Sequence, residues 1–141
     1  MQQDFEKRII LVVRNDIEPW QIANTIAHVS AYLGNQLKET FGTGAFFSTK
    51  DRVNHPRNSQ YPIIIKRAKS NEQLQNLMQK VREADVLYHG FIREMIEHTD
   101  DADLQKSLEK KEDDEVEYFG LGIFSSNETV NKLTKKFGLW T

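Results

Sequence analysis

No cysteine occurs in the chain, which removes disulfide frameworks, thiolate zinc sites and catalytic thiols together. Its four histidines, His28, His55, His89 and His98, fall in separate segments without metal-ligand spacing, so no metal is expected. Glycine is missing where a nucleotide would need it. The turn Arg14-Asn15-Asp16-Ile17-Glu18-Pro19 after the first apolar run contains none, which argues against the phosphate-cradling loops of Rossmann and P-loop proteins. A G-x-S-x-G nucleophile elbow is absent as well, and no cofactor is expected.

Positive charge is not in excess either. Lys and Arg total 19 against 21 acidic residues, a net charge of −2, whereas nucleic acid calls for a basic surface, so nucleic acid is not an expected partner. The longest uncharged stretch is broken by Gln, Asn, Thr, His and Ser and is too polar to span a bilayer. The opening MQQDFEKRIILVV places Asp4 and Glu6 ahead of a short apolar run, unlike a signal peptide. The expectation is a soluble, cytoplasmic protein with no membrane partner.

What the chain does contain is enough for one domain over residues 1–141, able to bury about 68–70% of its unfolded surface. RIILVV at 8–13 reads as a strand buried on both faces. It passes through Asn15 and Asp16 into a helix over 17–38, with Asp16 as its N-cap and Pro19 in its first turn. The chain is 28% charged, yet residues 21–37 hold no Asp, Glu, Lys or Arg. At 100° per residue they divide into an apolar stripe (Ile22, Ile26, Val29, Leu33, Leu37), a small-residue stripe for close packing (Ala23, Ala27, Ser30, Ala31, Gly34) and a polar stripe beginning with Gln21, Asn24, Thr25 and His28.

Residues 40–60 read as a long loop in which Phe46 and Phe47 are expected to pack on the domain or on a second subunit. Strands follow at 63–66, 84–91 and 117–124, with helices starting at Ser70 and Ser126. Gly120 and Gly122 in the last strand signal a close approach by another element. Residues 93–116 form a charged insert, irregular and then briefly helical. The order β-α-β-α-β-insert-β-α gives the α/β class, with a four-stranded, mixed or mostly parallel sheet in three α/β/α layers.

In an open α/β sheet ligands gather at the carboxyl ends of parallel strands. Gln21, Asn24 and His28 project from one side of the helix that begins there. Glu94 directly follows the third strand, and a carboxylate meeting a histidine could carry out acid/base chemistry. The competing readings are a helix face covered by the long loop, a structural Asp16 cap, a Trp20 that closes the strand-helix corner and a Glu94 on the surface.

RIILVVRNDIEPWQIANTIAH resembles the opening strand and helix of type II peptidyl-tRNA hydrolases, and YFGLGIFSSNETVNKLTKKFGLW resembles their last strand and helix. A bacterial family of unknown function, the domain family numbered 2000, is similar to those hydrolases in fold and matches more closely. Its D-L-x-x-W-Q-x-x-N pattern appears as Asp16-Ile17, Trp20-Gln21 and Asn24, and its E-M-x-x-T-G-x-D pattern in part as Glu94-Met95 and Asp101. The resemblance implies a hydrolase-like cleft in which Asp16, His28 and Glu94 are catalytic candidates and Trp20, Gln21, Asn24, Met95 and Asp101 bind ligand. The hydrolases' lysine-bearing turn and their D-A-G-x-T motif have no counterpart here. The expectation is therefore a small polar ligand, with ester hydrolysis and a non-catalytic homodimer as alternatives.

Overall fold

The computed structural model describes residues 4–141. The elements run β1 (Lys7–Arg14), α1 (Pro19–Leu37), β2 (Phe46–Ser48), β3 (Asn54–Pro56), β4 (Ile63–Ala68), α2 (Asn71–Glu83), β5 (Leu87–Ile92), α3 (Arg93–Glu97), α4 (Asp101–Leu108), β6 (Tyr118–Ser126), α5 (Asn127–Thr134) and β7 (Gly138–Leu139). The chain is a mixed α/β fold with a five-stranded sheet in the order β5-β6-β1-β4-β7. β1 pairs parallel with β4 and antiparallel with β6, and β5 is antiparallel to β6. β1, β4 and β5 therefore point the same way, and their carboxyl ends meet the start of β6 at one end of the sheet.

The fifth strand corrects the expected count of four. β7 is two residues long and pairs Leu139 with Lys66 and Gly138 with Arg67, too short for any hydrophobic period to reveal it. The long loop also holds a hairpin, with Phe46 opposite Pro56 and Ser48 opposite Asn54. Phe46 and Phe47 do not pack on the domain: they are 58% and 54% exposed, with the Arg57 guanidinium 4.6 Å from the Phe47 ring centre. The insert contains two helices, α3 and α4, followed by a 3-10 turn at Asp113–Glu115.

β1 explains the core by alternation. Ile10 and Val12 join the cluster built with α2 and α5, while Ile9, Leu11 and Val13 join the one built with α1. Two buried faces demand apolar residues at every position, and so the strand reads as an unbroken run.

α1 begins at Pro19 behind Glu18, whose backbone N–H donates to the Gln21 side-chain oxygen at 2.9 Å. The N-cap is thus Glu18 rather than Asp16, because the Asp16 carboxylate is taken by an arginine. Thr25, Val29 and Leu33 are its fully buried line. Thr25 can join that line because its hydroxyl donates to the Gln21 carbonyl at 2.7 Å, which satisfies the one polar group it would otherwise bury unpaired. The small-residue stripe does not close-pack: Ala23, Ala27 and Ala31 are exposed.

The close approach signalled by Gly120 and Gly122 is that of α1. A Cβ on Gly122 would lie 2.5 Å from Val29 Cγ1 and 2.9 Å from Leu33 Cδ1, and one on Gly120 would lie 2.7 Å from Thr25 Cγ2. The bare backbone of β6 is what lets the helix sit down on the sheet. Gly122→Ala is expected to lower stability by about 1–3 kcal/mol through overpacking, measurable by urea unfolding; an unchanged midpoint would show that α1 docks less tightly than this geometry requires.

Candidate functional site

The carboxyl ends of β1 and β5 carry a linked set of charges. Arg14, only 8% exposed, donates to both carboxylate oxygens of Asp16 at 2.8 and 3.0 Å and to Glu117 Oε1 at 2.8 Å. Arg93 takes the same Glu117 carboxylate through two nitrogens and reaches Glu97 at 3.4 Å. The β5–β6 register skips one residue of β6, pairing Phe91 with Gly120 and Ile92 with Tyr118. This bulge leaves Phe119 unopposed, and both guanidinium groups lie against its ring, at 5.9 and 5.1 Å. Arg93, and then Arg14, hold the Glu117 carboxyl down at about 2 against the cost of burial.

Every charge in this set has a partner, which makes it a latch between strand ends. Asp16 belongs to it and is unavailable as a free base. Its pKa lies below the ordinary carboxylate value, chiefly through the Arg14 hydrogen bonds.

Glu94 is not on the surface, where the competing reading places it. It is 1% exposed, its Oε1 bonded to the Lys111 ammonium and its Oε2 without a partner. Burying a carboxylate requires such a counter-ion, and Lys111 comes from the insert.

The cleft forms lower down, where α1 faces β5. His28 stacks on Phe91 with ring centres 4.9 Å apart, and Tyr32 stacks on His89 at 4.2 Å. The spacing explains both pairs: four helical residues rise about 6 Å, close to the roughly 6.6 Å between alternate residues of a strand. Two rings one turn apart on α1 therefore meet two rings on the same face of β5. Three of these rings, His28, His89 and Phe91, form one wall of a cavity of about 450 Å³, whose other wall is Met95, Ile96, His98, Thr99, Asp101 and Leu104 beyond β5. Burial, and then proximity to His28, push the His89 imidazole below its ordinary value, so at neutral pH it presents one donor and one acceptor.

Of the sequence-predicted residues, the structure brings His28, Met95 and Asp101 together on this cavity. Gln21 is spent on the helix cap. Trp20 is 58% exposed and closes no corner, and Asn24 is exposed one turn above His28. Sequence reasoning missed His89 and His98. The inward alternation of His89 and Phe91 in β5, read against the i, i+4 pair His28 and Tyr32, was the signal that could have found the first. Among the described residues, no three His, Asp or Glu side chains converge as metal ligands, and no helix is long and apolar enough to cross a membrane.

A family model described as a protein of unknown function (DUF2000) matches residues 7–141. A solved structure of a protein of unknown function from Agrobacterium tumefaciens strain C58 is similar to this chain with a TM-score of 0.83. The two are 22% identical over 98% of this chain and 100% of that one, a likeness of fold alone. No curated protein matches.

The charge latch makes its own prediction. Glu117→Gln is expected to cost about 2 kcal/mol at neutral pH, since it leaves two arginines sharing a neutral amide in a partly solvated site. Glu117 has its pKa depressed on folding, so its contribution is present above its ordinary value of 4.5 and is lost as pH falls towards about 2. Urea unfolding across that range checks this: the wild type should lose more stability on acidification than the variant does, and parallel losses would contradict the latch.

Proposed function

The chain belongs to the DUF2000 family, and from that premise we propose that it binds a small polar ligand in the cleft between α1, β5 and the residues after β5. The observation that carries this reading is the gathering of His28, His89, His98 and Asp101 from three segments around one cavity of about 450 Å³. That volume is within the range of small-molecule sites, about 300–1,000 Å³. Phe91, Ile96 and Leu104 supply an apolar floor, while the imidazoles and Asp101 supply donors and acceptors that fix orientation. The reading includes a single cytoplasmic domain with a three-layer arrangement akin to the type II peptidyl-tRNA hydrolases, whose first strand and helix and last strand and helix the segments 8–28 and 118–140 resemble.

The same cleft supports a second reading, because His28 is the one residue of the hydrolase-like helix motif that lines it. An imidazole there can take a proton from water attacking an ester. Against that reading stand the missing lysine turn and the commitment of Asp16 to Arg14. The exposed, uncharged side of α1, with Ala23, Ala27 and Ala31, supports a homodimer as the remaining alternative.

A panel of small polar compounds titrated against isotope-labelled protein by NMR tests the ligand reading. It predicts shifts centred on His28, His89, His98 and Asp101, weakened about tenfold or more by Asp101→Asn. Hits that all map elsewhere would sink it. Ester hydrolysis predicts turnover of a peptidyl-tRNA that His28→Ala abolishes, and inactive wild type at micromolar enzyme removes that reading.

A further inference from the structure

β5 has a cavity on each face. His89 and Phe91 line the cleft already described, while Tyr88, Gly90 and Ile92 line a second cavity of about 410 Å³. Its body is apolar, from Met78, Met95, Leu108 and Val116, and its polar groups are Arg82, Lys111, Asp113, Tyr88 and Tyr118. Gly90 keeps the floor low: a Cβ there would lie 2.8 Å from Met78 Cε and 3.0 Å from a Tyr118 ring carbon.

Hydrogen-bond accounting defines what the cavity lacks. Both Asp113 oxygens accept from Arg82, at 2.7 and 3.2 Å. The Tyr118 hydroxyl oxygen accepts from Arg82 at 3.2 Å, which leaves its own proton to give. Lys111 gives one of its three N–H groups to Glu94, leaving two. The Tyr118 proton and two Lys111 N–H groups are therefore spare donors around an apolar body, while the Asp113 carboxylate is already engaged by Arg82.

The Lys111 ammonium is also held in place. Its anchor is Glu94, a carboxylate with 1% exposure whose other oxygen has no partner, so the cation is fixed at the cavity wall before any ligand arrives.

We infer that this second cavity binds a small monocarboxylate with an apolar body, its carboxylate on Lys111 and its hydrocarbon against Met78, Met95 and Leu108. The site is separate from the histidine cleft, with Met95 in the wall of both. It therefore stands or falls independently of the reading given above.

Titration of labelled protein with phenylbutyrate, and in parallel with the neutral phenylbutanol, tests this by NMR. Saturable shifts at Gly90, Lys111 and Tyr118 are expected for the acid, with the alcohol at least about tenfold weaker. Lys111→Gln should weaken the acid about tenfold or more, and Lys111→Arg should retain it. Leu108→Trp, at a partly buried position on α4, should fill the cavity and abolish binding with an unchanged melting temperature. Equal binding of acid and alcohol, shifts centred on His28 and His89, or no saturable shift up to the solubility limit would each overturn the inference.

Discussion

The seating of α1 on the glycines of β6 is the contact on which the rest of the molecule depends. With no side chain at Gly120 or Gly122, the helix comes close enough for Thr25, Val29 and Leu33 to be lost from solvent completely. That approach fixes both the height and the rotation of α1 over the sheet. His28 and Tyr32, one turn apart on the flank towards β5, then meet Phe91 and His89 as stacked pairs. The cleft wall thus follows from a packing constraint on the neighbouring strand, where Gly122 pairs with His89 and Gly120 with Phe91, and a helix held one side chain higher would part those rings.

The charged groups divide into two kinds of work. Asp16, Arg14, Glu117, Arg93 and Glu97 pair with one another across the ends of β1, β5 and β6. They hold the end of the sheet together. The histidine cleft by contrast is lined by no Lys or Arg, and Asp101 is its one acid. Imidazole rings recognise polar ligands by donor and acceptor pattern. Glu94 and Lys111 stand between these regimes, as a buried ion pair that ties the insert to the strand end it follows.

Much of the fold was legible in the sequence, and for physical reasons. β1 shows as a continuous aliphatic run because both of its faces are covered, and α2 shows because Leu74, Leu77, Met78 and Val81 are all buried on one stripe. β7 and the β2–β3 hairpin were not legible, since two or three exposed residues carry no burial pattern. The head of α1 misled: Asp16 is a good capping residue, but an arginine two residues before it claims its carboxylate first. The site was half legible. His28 was marked by its uncharged helix face and Asp101 by a family motif, whereas His89 becomes a site residue only through the helix that lies across it. Pairwise contact between distant segments is what a local reading cannot supply.

The central claim is that α1 packs against β5 so that His28 and Tyr32 stack on Phe91 and His89 and leave the His89 imidazole half-buried at the cleft. Its most direct test is the titration of the His89 ring protons by NMR in the wild-type protein. The account predicts a midpoint below the ordinary 6.5, because burial and His28 both disfavour the charged ring. A midpoint at or above 6.5 would show His89 to be solvated or paired with an acid, and would contradict the geometry of the cleft.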